Sequence, residues 1–194
     1  MTVAVLKYNA GNVCSVRFAL ERLGANFIVT DNAEELSAAD KVIIPGVGEA
    51  SSAMAYLQER QLDVVIKKLC QPVLGICLGM QLMCDFSEEN NTKCLGIFNQ
   101  HVKLFQNSIG KVPQIGWNNI GNLRSPLFHN ISDNDFVYFV HSYYAELSEN
   151  TIAVTNYGCN YSAALWRDNF YAMQFHPEKS GQVGQRILNN FLNL

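Results

Sequence analysis

The sequence lacks the features that would assign it to several large classes of protein. It contains no C-x-x-C pair, no Walker-type phosphate loop and no apolar run long enough to span a membrane. Charged residues make up only 16% of the 194 residues, and the formal net charge is −3. We therefore expect no nucleic-acid partner and no membrane partner, since both favour a basic surface. Hydrophobic residues make up 48% of the chain, which is typical of a folded domain.

The cysteines do not form the pattern of a disulfide framework or of a zinc site. They lie at positions 14, 70, 77, 84, 94 and 159, mostly in periodic segments, whereas disulfide frameworks occur in small, loop-rich secreted domains. The seven-residue spacing of Cys70, Cys77 and Cys84 matches no usual zinc pattern. The first residues do not resemble a signal peptide. We therefore expect reduced thiols, a cytoplasmic location, and neither a metal nor a cofactor.

Alternating strand and helix patterns predict a single α/β domain over residues 1–194. Strands are expected over residues 3–6, 26–30 and 41–44 and in a buried segment that ends at Ile76, with Asn12 as the cap of the first helix. Further helices are expected over residues 50–61 and 78–85. From about residue 102 strands predominate, over 102–105, 115–120, 136–141, 152–156, 161–166 and 170–175, before a last helix over 180–191. These patterns predict a three-layer fold whose central, mostly parallel sheet has some antiparallel strands in its second half.

The segment Gly75-Ile76-Cys77-Leu78-Gly79 predicts a sharp turn from a buried strand into a helix. Its two glycines permit a bend that side chains would block, as in the G-x-S-x-G elbow of serine hydrolases. Cys77 would then lie at a helix N-terminus, where the helix dipole and free N–H groups favour the thiolate. The alternative is that Cys77 is a small buried hydrophobic residue, as most free cysteines are.

His176 and Glu178 supply the other two groups that a cysteine nucleophile needs. Pro177 favours extended geometry at His176, and residues two apart in an extended segment project to the same side. Glu178 is therefore expected to reach the imidazole. Because a nucleophile needs a base and the base needs an orienting partner, Cys77, His176 and Glu178 form a candidate catalytic triad. The histidines at positions 101, 129 and 141 are interpreted as structural.

A second loop with two glycines, Pro45-Gly46-Val47-Gly48-Glu49, follows the strand predicted over residues 41–44. One interpretation is a tight turn. The other is an oxyanion site, because a glycine peptide can turn its N–H toward a tetrahedral oxyanion without obstruction by a Cβ atom. The N–H of Leu78, the residue after the candidate nucleophile, would be the second donor. The sequence alone leaves both interpretations open.

The segments 75–81 and 176–178 together resemble the class I glutamine amidotransferases. Within that family, residues 45–48, 113–118 (Pro-Gln-Ile-Gly-Trp-Asn) and 138–143 (Tyr-Phe-Val-His-Ser-Tyr) are similar to the glutaminase subunits of imidazole glycerol phosphate synthases, which act in histidine biosynthesis. The similarity spans nearly the whole chain. It implies a flavodoxin-like α/β fold and the hydrolysis of L-glutamine to glutamate and ammonia through a thioester.

The resemblance also implies roles for individual residues. Cys77 would be the nucleophile, His176 the general base and acid, and Glu178 its orienting partner. The oxyanion hole would be formed by Gly46, Val47, Gly48 and Leu78. The amino-acid end of glutamine would be held by Gln81 and by the backbone of Ser142 and Tyr143. The residues that would face the partner are Asn12, Trp117 and Lys179.

The partner implied by the resemblance is a (β/α)₈-barrel cyclase subunit that receives the ammonia and forms imidazole glycerol phosphate. One segment departs from the family pattern, because residues 7–12 read Lys-Tyr-Asn-Ala-Gly-Asn where many members have Asp-Tyr-Gly-x-Gly-Asn. Three alternatives remain open: another amidotransferase subunit such as that of anthranilate synthase, a stand-alone cysteine hydrolase, and a non-catalytic binding module. The intact set of Cys77, His176 and Glu178 argues against the last.

Overall fold

A computed structural model describes residues 1–9, 11–106, 108 and 110–194, so Ala10 of the unusual first loop lies outside the described residues. The first half alternates strands and helices: β1 (Thr2–Leu6), α1 (Val13–Arg22), β2 (Asn26–Thr30), α2 (Ala33–Ala38), β3 (Lys41–Ile44), α3 (Ala50–Glu59), α4 (Leu62–Lys68), β4 (Val73–Ile76) and α5 (Leu78–Met83). The second half is mostly strands: β5 (Phe86–Ser87), β6 (Thr92–Lys93), β7 (His101–Leu104), β8 (Gln114–Asn119), β9 (Phe136–His141), β10 (Tyr143–Ala145), β11 (Thr151–Asn156), β12 (Asn160–Arg167) and β13 (Phe170–Met173), followed by α6 (Gly181–Leu192).

Within the described residues, the centre of the fold is a seven-stranded sheet with the order β11-β12-β13-β4-β3-β1-β2. The five strands from β13 to β2 pair in parallel, and β12 and β11 extend the sheet antiparallel. The parallel part, β2-β1-β3-β4-β13, has the strand order of flavodoxin-like sheets. The predicted fold class is therefore confirmed.

The core lies on both faces of this sheet, as a three-layer fold requires. Successive residues of β1 alternate between the two faces, so Ala4 and Leu6 belong to one hydrophobic cluster and Val3 and Val5 belong to the other. Because both faces are covered, the central strands are continuous apolar runs. The carboxyl ends of β3, β4 and β13 therefore meet at one rim of a rigid sheet, where ligands of such folds bind.

Several elements differ from the sequence-based expectation. The sequence pattern does not predict α2, α4, β5, β6 or β10. The helix expected over residues 50–61 ends at Glu59, because Gln61 adopts a left-handed conformation with a φ of 56° and begins α4. The other predicted strands and helices are present, with ends shifted by one or two residues in most cases.

The expected cap of the first helix is wrong in its chemistry. Asn12 occupies the N-cap position of α1, but its φ is 76° and its side chain makes no capping hydrogen bond. The side chain instead turns toward Glu178. The first loop and the segment around His176 are therefore connected at the carboxyl rim of the sheet.

Candidate active site

Cys77 occupies the turn between β4 and α5 in a strained backbone conformation. Its φ is 54° and its ψ is −107°, values that L-residues rarely adopt outside functional turns. The Cys77 N–H donates to the carbonyl of Met173 at 2.8 Å, which ties the turn to the neighbouring strand β13. The side chain is only 5% exposed. The fold thus holds one thiol rigidly at the end of the central strands.

The glycines that flank Cys77 are required by close approach of the backbone. A Cβ atom at Gly79 would lie 1.9 Å from the carbonyl oxygen of Ile44, and one at Gly75 would lie 2.9 Å from the backbone of Gly79. Helix α5 therefore starts in direct contact with β3 and β4. This confirms the sharp strand-to-helix turn predicted from the sequence.

His176 and Glu178 follow β13 and form a fully buried pair. His176 Nδ1 lies 2.7 Å from Glu178 Oε1, and both side chains have zero exposure. His176 is extended, as Pro177 predicts, but the residues Pro177–Lys179 form a 3₁₀ turn. The carboxylate thus reaches the imidazole across this turn, and not along an extended strand as the spacing alone suggests.

The charge state of His176 is set by its two neighbours. Burial alone would lower the pKa of the imidazole, but the neighbouring thiol of Cys77 and the hydrogen-bonded carboxylate of Glu178 outweigh it and raise the pKa of His176 to about 10. Nδ1–H donates to the carboxylate, and Nε2 has no hydrogen-bond partner among the described residues. The arrangement therefore favours an imidazolium next to Cys77, with one N–H free for a reacting group.

Asn12 is a further neighbour of this pair. Its side-chain amide donates to Glu178 Oε1 and lies 3.2 Å from His176 Nδ1. Because Nδ1–H already donates to the carboxylate, the amide stabilises the carboxylate and not the imidazole nitrogen. The sequence analysis predicted Asn12 as a helix cap and as a residue that faces the partner, whereas the structure places it directly against the candidate triad.

The predicted glutamine contacts lie around one cavity of about 250 Å³. Gln81, Ser142 and Tyr143 line it together with Cys77. This volume suits a small polar ligand better than a drug-sized molecule or a protein chain. The structure therefore brings the proposed nucleophile and the proposed substrate contacts into a single site.

Glu89 also lines the cavity, although no sequence pattern pointed to it. Its Oε2 accepts the backbone N–H of Ala50 at 2.7 Å, and burial raises the pKa of its carboxyl group. Glu89 reaches the site because the 3₁₀ turn Glu89–Asn91 sits between the unpredicted strands β5 and β6. A glutamate within a segment rich in acidic and amide residues gives no local signal of this placement.

The predicted oxyanion segment lies at the same cavity, which Val47, Gly48 and Leu78 line. Gly48 has a φ of 134°, a conformation that favours glycine. The N–H of Leu78, however, donates to the carbonyl of Gly46 at 3.3 Å. In this conformation the Gly46 carbonyl occupies the Leu78 N–H, which is one of the donors that an oxyanion would need.

His141 is buried in the wall of the cavity and is neutral. Burial lowers the pKa of its imidazole to about 4, and its nitrogens contact the Tyr143 carbonyl at 2.7 Å and the Tyr161 hydroxyl at 3.1 Å. Its contacts support the structural interpretation made from the sequence. No group of three or more metal-ligating side chains occurs among the described residues.

Two of the residues expected to face a partner, Trp117 and Lys179, are exposed. Trp117 on β8 is 56% exposed and packs edge-on against Tyr138 of β9, with ring centroids 6.0 Å apart. Lys179 is exposed directly after Glu178. Pro113, which precedes β8, lines the cavity itself. Strand β8 thus begins next to the candidate site.

Replacement of Cys77 by serine is expected to lower the pKa of His176 from about 10. Because the folded-state pKa of His176 is raised, its protonation stabilises the folded protein fully below the ordinary pKa of 6.5. This contribution to the free energy of unfolding is lost as the pH rises through about 10. Serine supplies no thiolate, so in Cys77→Ser this loss begins at a lower pH. An NMR titration of the imidazole Cε1–H would measure the change, with His141 as an internal reference. The same midpoint in both proteins would show that Cys77 is not coupled to His176.

Comparison with known proteins places this site in a family. The family model described as Glutamine amidotransferase class-I matches residues 5–194. The imidazole glycerol phosphate synthase subunit HisH of Bacteroides fragilis is 60% identical, with all of both chains covered. The corresponding subunit of Haemophilus influenzae is 45% identical over 99% of this chain and 97% of its own length.

A solved structure of a glutamine amidotransferase superposes with a TM-score of 0.76 over 98% of this chain and 97% of its own, at 18% identity, which supports the fold alone. Within the part of the chain that the structure describes, no helix has both the length and the apolar character needed to cross a membrane. The matches to the family model and to full-length relatives carry the assignment. The chain belongs to the class-I glutamine amidotransferases and, within them, to the HisH family of imidazole glycerol phosphate synthase subunits.

Proposed function

We propose that this chain is a glutaminase subunit that hydrolyses L-glutamine and delivers the ammonia to a cyclase subunit making imidazole glycerol phosphate in histidine biosynthesis. The observation that carries the proposal is the buried pair of His176 and Glu178 beside Cys77, at the end of a cavity sized for a small amino acid. The full-length similarity to HisH subunits supports the same reaction.

The first half of the reaction uses the groups in the order in which they meet the substrate. The Cys77 thiolate attacks the side-chain carboxamide carbon of glutamine, and the carbonyl oxygen becomes an oxyanion. His176, held as an imidazolium by Glu178, donates its Nε2 proton to the departing nitrogen. Ammonia leaves and a glutamyl thioester remains on Cys77.

The second half reverses these roles. His176 is now neutral, so its Nε2 accepts a proton from water, and the resulting hydroxide attacks the thioester carbon. The C–S bond breaks, glutamate departs and the thiolate–imidazolium pair is restored. Glu178 remains ionised throughout, because its task is to orient the ring and stabilise the imidazolium.

The cavity also supplies groups for the amino-acid end of glutamine. Ser142, Tyr143 and Gln81 line the cavity together with Glu89. We assign the α-ammonium group of glutamine to the Glu89 carboxylate, which is the charged cavity residue of the required sign. Substrate specificity then depends on pairing a zwitterionic amino acid with buried polar groups.

The partner in this proposal is a (β/α)₈-barrel cyclase that docks over the cavity mouth and receives the ammonia. The side chains of Trp117 and Ile115, which are 56% and 59% exposed, support this placement. The position of Asn12 and Lys179 beside Glu178 supports it as well. We also propose a cytoplasmic enzyme without nucleic-acid or membrane partners. The free state of all six cysteines supports that location.

A reconstitution experiment tests the function. The chain is co-expressed with the cyclase subunit of the same organism, and glutamine-dependent formation of imidazole glycerol phosphate is measured in the purified complex. A glutamine-like electrophile should label Cys77, as located by peptide mass spectrometry. Co-purification with a different synthase, or full glutaminase activity with no partner, would contradict the proposal.

Glu89→Gln is expected to raise the KM for glutamine about tenfold or more, because a charge-assisted bond to the α-ammonium group is lost. The kcat should change much less, since Glu89 does not contact the reacting carboxamide. The amide oxygen of glutamine at position 89 can still accept the Ala50 N–H, so the local fold is kept. Glutaminase kinetics of the complex would separate the two constants. Glu88→Gln is the matched control, because Glu88 is exposed and contacts Leu104 outside the cavity.

A further inference from the structure

Gln174 is a buried amide next to Cys77 to which the reaction described so far gives no role. It lies between β13 and His176, and its side chain has zero exposure. Its Nε2 is 3.6 Å from Cys77 Sγ, and its Oε1 is 3.0 Å from Gln81 Nε2. Burying a primary amide in a core costs free energy unless its polar atoms are paired. Both atoms of Gln174 are paired, and both partners belong to the active site.

The orientation of this amide is fixed by a backbone group at the other end of a short chain of hydrogen bonds. The carbonyl of Tyr143 can only accept, so the group that faces it at 3.0 Å must be the NH₂ of Gln81. The second N–H of Gln81 then donates to Gln174 Oε1. Gln174 is left with its own NH₂ directed at the sulfur of Cys77.

A second contact reinforces the start of this chain. The Tyr143 carbonyl also faces Nδ1 of the neutral His141 at 2.7 Å, so both lone pairs of the carbonyl are occupied. Neither amide can therefore rotate by half a turn without leaving an unpaired buried group, which costs more than a typical hydrogen bond gains. The N–H that points at Cys77 is held in place by the protein and not by the substrate.

An N–H directed at sulfur has a defined chemical effect. It interacts more strongly with a thiolate than with a neutral thiol, so it favours the nucleophilic form. It also restrains the position of Sγ, which must lie between His176 and the carboxamide carbon. The other polar neighbours of the sulfur are the His176 imidazole and the Val140 carbonyl, at 3.9 Å. The carbonyl cannot stabilise an anion, so the Gln174 amide adds to the effect of the imidazole alone.

We propose that Gln174 is a positioning residue for the Cys77 thiolate and that Gln81 fixes the orientation of its amide. One chain of amides then positions both a glutamine contact and the nucleophile. The inference rests on the proposed function, since it deepens the role of the same site. Gln81 lines the cavity while its NH₂ is used inside the protein. Its oxygen is the part available to glutamine.

Two substitutions of Gln174 test the proposal through the reactivity of Cys77. Gln174→Leu removes the donor at similar volume. Gln174→Glu keeps an oxygen for the Gln81 NH₂ but places a carboxylate, and not an N–H, against the sulfur. We expect the rate of Cys77 alkylation by iodoacetamide at neutral pH to fall about tenfold in Gln174→Leu, and further in Gln174→Glu, because a charge-assisted bond to the sulfur is lost. The kcat of the complex should fall about tenfold or more in both.

Alkylation is measured on the full-length chain by quantifying the Cys77 peptide by mass spectrometry, because the exposed Cys14 and Cys70 also react. The matched control is Gln100→Leu. Gln100 is likewise buried, and its amide donates to the Glu146 carbonyl at 2.8 Å, away from the cavity. This variant loses a comparable amide and should keep the wild-type rate of Cys77 alkylation. An equal fall of the rate in Gln100→Leu would overturn the proposal.

The failure of this inference can be told apart from failure of the proposed function. If folded Gln174→Leu and Gln174→Glu are both alkylated at Cys77 at the wild-type rate, Gln174 does not act on the sulfur, whatever the enzyme does. If Gln174→Leu does not fold, Gln174→Glu alone decides the question, because it keeps the bond to Gln81. The proposed function fails separately, if a complex that lacks the Cys77 thiol still hydrolyses glutamine.

Discussion

Replacement of Cys77 by alanine is expected to abolish glutamine-dependent formation of imidazole glycerol phosphate while synthesis from ammonium salts survives. The thiolate is the only group at the cavity that can form the thioester, and loss of a triad nucleophile lowers kcat by a factor on the order of 10⁶ in a well-studied serine protease. The cyclase chemistry belongs to the partner and needs only ammonia. Both rates would be measured on the same purified complex, first with glutamine and then with an ammonium salt.

The structure sharpens the controls for this experiment. Cys77 is only 5% exposed and packs in the core, so its removal leaves a small cavity and some loss of stability. Cys84→Ala is the matched control, because Cys84 is a fully buried thiol on the far side of α5 whose Sγ contacts the Met80 carbonyl. It should lose comparable stability and keep glutamine-dependent activity. Loss of both activities in Cys77→Ala would mean that Cys77 is structural.

The fold class and the candidate triad were accessible from the sequence because their signals are local. Glycines are required on both sides of Cys77 because the backbone approaches closely there; a Cβ at Gly79 would lie 1.9 Å from the Ile44 carbonyl. Only a tight turn imposes that pattern. His176 and Glu178 are two residues apart, so no knowledge of the tertiary fold is needed to pair them. The continuous apolar strands likewise reveal a sheet that is buried on both faces.

The residues that the sequence did not reveal depend on contacts between distant segments. Gln174 acts on Cys77 from 97 positions away, and its role depends on which way a buried amide points. Glu89 reaches the cavity through the two-residue strands β5 and β6, which are too short to have a periodic pattern. Asn12 was expected to cap a helix, but its φ of 76° leaves the side chain without a capping hydrogen bond, and its NH₂ donates to the buried carboxylate of Glu178 instead.

The first loop contacts the segment that we expect to form the oxyanion hole. The Tyr8 hydroxyl donates to the Pro45 carbonyl at 2.5 Å, and the Gly11 N–H donates to the Val47 carbonyl at 3.0 Å. Between these two contacts, the Gly46 carbonyl accepts the Leu78 N–H. Rotation of the Gly46–Val47 peptide would free the Leu78 N–H and turn the Val47 N–H toward the cavity. The loop that departs from the family pattern thus contacts both sides of the peptide that must move.

The isolated chain is therefore expected to bind glutamine but to hydrolyse it slowly, and the acceptor-loaded partner should accelerate hydrolysis by at least about 10²–10³-fold. That factor is the usual effect of one oxyanion donor on the rate, and two donors are unavailable in this conformation. Glutaminase rates with and without the cyclase and an acceptor analogue would measure it. A lone chain as fast as the complex would contradict a switch and would favour a stand-alone hydrolase.

Tyr8→Phe tests whether the first loop restrains the switch. The substitution removes the hydroxyl that donates to the Pro45 carbonyl. This hydroxyl also packs against Gly46, since a Cβ atom built there would lie 2.3 Å from it. Without it, the Gly46–Val47 peptide should rotate more readily. We expect the basal glutaminase rate of the lone chain to rise several-fold and the activation factor to shrink correspondingly, because the rate of the complex already reflects the rotated peptide. Tyr56→Phe is the matched control, since the Tyr56 hydroxyl bonds Asp31 on the other side of α3 and should leave both rates unchanged. An unaltered basal rate in folded Tyr8→Phe would show that the restraint comes from the Gly11 N–H or from the Leu78–Gly46 bond itself, and that Tyr8 only supports the loop.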